Sequence, residues 1–259
     1  MAMKTPPPRL RGCEGLPINV EGWKRAIPYR PGEIDYEQPA VEMVRLTAET
    51  ATYLYSAHTP TETHYERGTR PRLERFVEVA VAGAKTDAER AARILERVWR
   101  QLIWPHPVPP RVREVGGTEE DILARGYAYC NEASRVFVTL AQVGGIPARM
   151  TFHWTPDGSA GHSLGEAFVD GRWQLADSDV NMHGWCVPGL AVSCLDIMRG
   201  GEAAATFDRM VTREMLAVIG HVAPGAKYSD LFQVMGICNY PVEDFPYKLR
   251  VATSRGRYG

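Results

Sequence analysis

Cys130 lies between a short glycine-containing loop, Arg125-Gly126-Tyr127-Ala128-Tyr129, and a helix-like run, Asn131 to Phe137. His162 stands thirty-two residues on, and Asp177 fifteen after that. A cysteine at a helix start, followed by a histidine and an acid on strand-like segments, is the layout of a thiol acyl-transfer site. The attacking species is the thiolate, and an ordinary cysteine, with a pKa near ~8.5, is only partly ionised at neutral pH. Two devices favour the thiolate. A helix N-terminus aims backbone N–H dipoles at the sulfur, and a nearby histidine takes the proton. Both are expected around Cys130.

The histidine needs an acid to orient it, and strand parity locates two. Asp170-Gly171 is the dipeptide favoured in a two-residue type I′ hairpin. With that turn, Val169 pairs with Arg172 and Phe168 with Trp173, and continuing outward Leu164 faces Asp177 and His162 faces Asp179. The period of two puts His162, Leu164, Glu166 and Phe168 on one face with Trp173, Leu175, Asp177 and Asp179. Asp179 is the directly opposite acid, and Asp177 is a diagonal neighbour with Cβ atoms up to ~7–8 Å away. Parity alone leaves both open.

The surrounding elements must hold these residues. Residues 1 to about 40 are rich in Pro, Gly and charge and are expected to wrap the surface as a tail. Thr50 to Tyr55 carries β-branched and aromatic residues that favour a strand. Arg72 to Ala82 is expected to be helical. Thr86 with Glu89 forms a capping box, and Ala91, Leu95, Val98 and Leu102 then recur on one helical face. Pro105, Pro107, Pro109 and Pro110 end that helix. Thr118 with Asp121 starts a short helix, which Gly126 ends. The helix after Cys130 carries one broad apolar face and stops at Gly144-Gly145. Ala148 to Trp154 is a strand. Ser193 caps a helix, Ile197, Phe207, Met210 and Met215 mark helices, and Tyr240 to Val251 returns as a strand.

Together, Gly126-Tyr127-Ala128-Tyr129-Cys130, Leu140, Gly145-Ile146-Pro147-Ala148-Arg149, His162 with Glu166, and Asp170-Gly171-Arg172-Trp173 with Asp177 resemble the transglutaminase-like cysteine superfamily. The resemblance spans roughly residues 85–180. It implies an α+β fold: a papain/transglutaminase-like core, with the catalytic cysteine at a helix N-terminus packed on an antiparallel sheet that carries the histidine and the acid. The family's acid lies four residues after the tryptophan of the Gly-x-Trp segment, which selects Asp177. The family's glycine two before the cysteine is Ala128 here. The implied activity is acyl transfer from an amide or peptide carbonyl through a Cys130 thioester, resolved by water or an amine. Cys130, His162 and Asp177 are then the catalytic residues. Trp104 is the candidate for an added oxyanion donor, set against a role as a core aromatic. Residues 71–185 would form the catalytic core, 1–70 an extension packed on it, and 186–259 a mainly helical addition completing the same domain.

The remaining residues are expected to be structural. Trp173 and Arg149 are packing and ion-pair supports, Glu166 sets structure or polarity, and His153, His183 and His221 are ordinary histidines. Cys186 and Cys194, eight apart near His183, lack the spacing of a metal site. No cofactor and no metal are expected. With 259 residues, 44% hydrophobic and 24% charged, the chain is an ordinary globular protein. Its net charge of -1 gives no footprint for nucleic acid or an anionic membrane. No apolar run approaches the roughly 20 residues of a membrane span. Five scattered cysteines without a CxxC point to a reducing, cytoplasmic setting. The substrate would be a peptide, protein or small amide, with or without an amine co-substrate. The competing reading is a catalytically silent binding module that kept the fold.

Overall fold

The computed structural model describes residues 44–46, 48–55, 65–102, 114–115, 117–155, 161–187, 189–219, 225–238 and 252–253. In chain order the elements are β1 (Val44–Arg45), α1 (Ala48–Leu54), α2 (Pro71–Ala80), α3 (Asp87–Gln101), β2 (Glu114–Val115), α4 (Glu119–Arg125) and α5 (Cys130–Val143). There follow β3 (Ala148–Trp154), β4 (Gly161–Val169), β5 (Arg172–Asp177), β6 (Met182–His183), α6 (Cys194–Arg199), α7 (Gly201–Met210) and α8 (Arg213–Ile219). A 3-10 turn, Tyr228–Leu231, then leads into β7 (Val234–Cys238), and β8 is Ala252–Thr253. The main sheet is antiparallel, in the order β1-β7-β3-β4-β5-β6.

The α+β class and the antiparallel sheet follow the sequence expectation. Helix α5 is more deeply enclosed than one apolar face implies: every residue from Glu132 to Gln142 is buried. One side meets α2, α3 and α4, the other β3 and β4. The charged and amide side chains buried there have partners. Arg135 pairs with Glu119 at 2.9 Å, and Gln142 donates to the Ala148 carbonyl at 2.8 Å. Close approach of α5 to the sheet needs a residue without Cβ at Gly165. An added methyl there would lie 2.8 Å from Phe137.

The opposite face of the sheet is covered by the segment after residue 186. Phe232 packs on His153, with ring centroids 4.4 Å apart, and the Cys194 amide donates to Glu166 at 2.8 Å. Arg149 and Glu166, both fully buried, form an ion pair at 2.7 Å. The guanidinium also lies over Tyr55 and Trp173, at 4.6 and 4.0 Å from the ring centroids. Arg149, Trp173 and Glu166 are thus built into the interior between sheet and helices.

One local expectation changes, and one strand is new. Residues 50–54 are helical, not a strand. Ala51 and Leu54, three apart, both bury, so one helical face meets the core and tertiary burial overrides β propensity. Strand β7, which pairs with β3 inside the sheet, had no sequence expectation. The expected strand Tyr240–Val251, the tail to residue 40 and His221 lie outside the described residues. No described helix is long and apolar enough to cross a membrane.

Candidate active site

Cys130 is the first residue of α5, and the turn leading into it is held at several points. Thr118 and Asp121 cap α4, and Gly126 ends it with φ 77°. Arg125 Nε donates to the Tyr127 carbonyl at 3.0 Å, and its guanidinium pairs with buried Glu132. Glu132 in turn accepts the Tyr129 N–H at 3.1 Å. The extended backbone of Tyr129, with φ -82° and ψ 165°, then releases the chain into the helix. As a first-turn residue, Cys130 has a backbone N–H with no acceptor inside the helix.

Ser134, one turn beyond Cys130, donates through Oγ to the Ser163 carbonyl at 2.8 Å. That bond ties the start of α5 to the residue after His162. It explains how a helix on one face of the sheet serves a histidine at the beginning of β4.

The hairpin forms in the expected register. Val169 pairs with Arg172, Phe168 with Trp173 and Gly165 with Ala176. Asp170 and Gly171 both have positive φ, 52° and 77°, as a type I′ turn requires. Strand β5 ends at Asp177, and residues 178–181 turn the chain back so that Met182 pairs with Asp177. The turn brings both aspartates to the histidine on different sides. His162 Nε2 lies 2.9 Å from Asp177 Oδ2, and Nδ1 lies 4.0 Å from Asp179 Oδ2. The Cys130 sulfur, a ring nitrogen of His162 and a carboxylate oxygen of Asp179 all lie within 4.8 Å of one another. Since Nε2 is held by Asp177, Nδ1 is the nitrogen turned toward the thiol.

Asp177 is fully buried and accepts three hydrogen bonds. Besides His162, Oδ2 takes the Tyr228 hydroxyl at 2.7 Å, and Oδ1 takes the Asp179 N–H at 3.0 Å. Tyr228 is completely buried; burial first, and then the Asp177 charge, raises its phenol well above the ordinary value, so it stays an O–H donor. Nothing in the sequence singled out Tyr228. It lies fifty-one residues beyond Asp177 and reaches it only because the C-terminal segment packs over the sheet.

Burial alone would lower the pKa of His162. The Asp177 charge and hydrogen bond outweigh it, with a further contribution from Cys130, and hold the imidazole well above its ordinary value. Its cross-strand neighbour His153 goes the other way: burial, aided by His162, drives it well below the ordinary value. Asp179 is pushed up to about 7 by burial and by the Asp177 charge, against the pull of His162. Cys130 is partly accessible, while His162 is 2% exposed.

The three sequence candidates therefore meet in space. Asp177 takes the Nε2 side of the histidine, and Asp179 lies on the thiol side. Trp104 lies outside the described residues. Cys186, Cys194 and His183 do not come together as a ligand set: Cys194 is buried beside Thr151, and His183 stacks on Trp185.

Residues 74–178 match the family model for the core of the Transglutaminase-like superfamily. No curated protein matches the chain. Among solved structures, similarity is found to a chain from Cytophaga hutchinsonii provisionally described as a cysteine protease, at 14% identity over 42% of this chain and 37% of that one, with a TM-score of 0.35. A chain from Parabacteroides distasonis, provisionally described as a protease, matches at 17% identity over 43% of this chain and 24% of that one, TM-score 0.34. A structure described as a TGase matches at 14% identity over 44% and 33%, TM-score 0.32. The chain thus spans between 24% and 37% of the length of these chains.

Proposed function

We propose, from a transglutaminase-like segment over residues 74–178, that the protein is a cysteine enzyme transferring an acyl group from a carboxamide or peptide carbonyl through a thioester on Cys130. The observation that carries this reading is the division of the imidazole. His162 Nε2 is bound to Asp177 at 2.9 Å, and its other nitrogen faces the thiol at the start of α5.

As sulfur becomes the nucleophile, the thiol proton passes to His162 Nδ1. The imidazolium is stabilised by Asp177, whose hydrogen bond also fixes the ring. The thiolate attacks the carbonyl carbon, and a C–S bond forms as the carbonyl oxygen takes the electron pair. The first-turn N–H of Cys130 is placed to donate to that oxyanion. The tetrahedral species collapses, the C–N bond breaks, and His162 gives its proton to the leaving amine. Water or an amine then attacks the thioester, His162 takes its proton, and that proton returns to sulfur as the acyl group leaves. A reactive thiol fits a reducing compartment such as the cytoplasm, and Cys130, Cys186 and Cys194 are all free.

The test is intact-protein mass spectrometry after incubation with a pooled peptide and amide library, with chelator present. A mass increment on Cys130 names the acyl donor, and adding a primary amine separates transfer from hydrolysis. Cys130→Ala and His162→Ala should each remove nearly all turnover, and the double variant should be no worse, because the residues act as a unit. No adduct, with alkylation by iodoacetamide no faster at Cys130 than at the other cysteines, sinks the reading and leaves a silent binding module.

A further inference from the structure

Two polar atoms near Cys130 are buried with no hydrogen-bond partner among the described residues: His162 Nδ1 and Asp179 Oδ2. They lie 4.0 Å apart, too far to bond directly, and the sulfur of Cys130 completes a triangle with sides no longer than 4.8 Å. The Asp179 side chain is 5% exposed and that of His162 fully buried. A buried imidazole nitrogen, a buried carboxylate oxygen and a thiol sulfur facing one point form a ready donor set for a cation.

We propose that Cys130, His162 and Asp179 form a binding site for a thiophilic divalent cation, Zn2+ foremost, and that its occupancy blocks the thiol. The donor set is one thiolate sulfur, one imidazole nitrogen and one carboxylate oxygen. Sulfur and imidazole select zinc over magnesium or calcium, which take oxygen ligands. Three protein ligands leave a fourth tetrahedral position for water. Zinc bonds of roughly 2.0–2.3 Å imply ligand–ligand separations of about 3.3–3.6 Å in a tetrahedron. A longest side of 4.8 Å thus has to contract by roughly 1.2–1.5 Å on binding.

The surroundings fit as well. A metal-binding histidine donates its second N–H to a carboxylate, which fixes the tautomer that leaves the other nitrogen free to ligate. Asp177 stands on Nε2 in that position at 2.9 Å, and is itself fixed by Tyr228 and by the Asp179 N–H. Asp179 sits in the turn 178–181, which the β5–β6 pairing holds against the site. Binding displaces the proton shared by Cys130 and His162 Nδ1: one Zn2+ enters, that proton leaves to solvent, and no oxidation occurs. The site stands on geometry alone. The exclusion of acylation rests on the reading of Cys130 as the nucleophile. The sequence points to no metal because it carries no CxxC-like spacing, and these ligands lie 32 and 17 residues apart.

The experiment uses the full chain stripped with EDTA and titrated with Co2+, then with Zn2+ in competition. One equivalent of Co2+ should give a sulfur-to-metal charge-transfer band with tetrahedral d–d bands, and Zn2+ should displace it. Cys130→Ser should abolish the charge-transfer band. Asp179→Asn should weaken Zn2+ binding at least tenfold. In the unaltered protein, which needs no variant to fold, one equivalent of Zn2+ should protect Cys130 from iodoacetamide, and EDTA should restore labelling. A band that persists in Cys130→Ser overturns the proposal. So does unchanged affinity in folded Asp179→Asn, or labelling of Cys130 unaffected by Zn2+. Turnover measured in EDTA reports separately on the acyl-transfer reading, so each can fail alone.

Discussion

At the residue scale, the two aspartates near His162 take two positions that strand parity could not separate. Asp177, the diagonal neighbour, holds Nε2, because the strand ends at it and the following turn carries Asp179 round to the other side of the ring. Replacing Asp177 with Asn should keep the shape and lose the charge that supports the imidazolium. A fall in kcat/KM of about 10²–10⁴ is expected with the fold intact by circular dichroism, in line with the loss of an orienting acid in a triad. Tyr228 acts one step back. Tyr228→Phe removes one of three donors to Asp177, and should cost about 1–3 kcal/mol of stability and a smaller loss of rate. Unchanged stability and rate in Tyr228→Phe would remove that residue from the account. The candidate triad was legible in the sequence because Cys, His and Asp fall at definite places in a helix–hairpin pattern. Tyr228 was not, because no local pattern marks a side chain that acts fifty-one residues away.

At the element scale, the site depends on α5 lying close to β4. Gly165 sets that distance, since an added Cβ would meet Phe137 at 2.8 and 3.1 Å and Val138 at 3.3 Å. Phe137 is fully buried and has no free direction to move. Gly165→Ala is therefore expected to destabilise by about 1–3 kcal/mol, read as a lower melting temperature. Combined with Phe137→Leu, the loss should be less than the sum of the two single losses, since the substitutions share one space. Strict additivity would show that the helix adjusts instead. Helices and hairpins with local signals matched their expectations here: the Thr118 and Ser193 caps, the Gly126 exit and the Asp170-Gly171 turn. The segment 50–54 did not. Its β-branched and aromatic residues favour a strand locally, while the core accepts the Ala51 and Leu54 face of a helix.

At the scale of the whole molecule, the sheet carries helices on both faces, and burial there, set against the Asp177 charge, shifts two histidines of one strand pair in opposite directions. His153 is buried, bonded through Nε2 to Thr151 at 2.9 Å, and held well below its ordinary pKa by burial and by His162. The unfolded chain binds a proton on this residue below about pH 6.5, and the native state does not. Its contribution to stability is therefore lost as pH falls below that value, by up to about 1.4 kcal/mol per pH unit. His162 has the opposite sign: its contribution is present below about pH 6.5 and is lost as pH rises through its raised native value. Urea unfolding from pH 4.5 to 7 should show His153→Gln with a shallower acid-side slope than the parent. An identical slope would mean His153 is not the residue that charges on unfolding. By itself, the sequence determined the chemistry-bearing residues, their chain order, the hairpin register and the start of α5. These are set by local rules: two- and 3.6-residue periods, caps, and turn dipeptides. Only the tertiary structure decided which acid meets which nitrogen, that Tyr228 closes over Asp177, that β7 enters the middle of the sheet, and that Asp179 faces the thiol. Those depend on contacts between segments far apart in the chain. Their geometry is fixed by how both faces of one sheet are buried, not by any window of neighbouring residues.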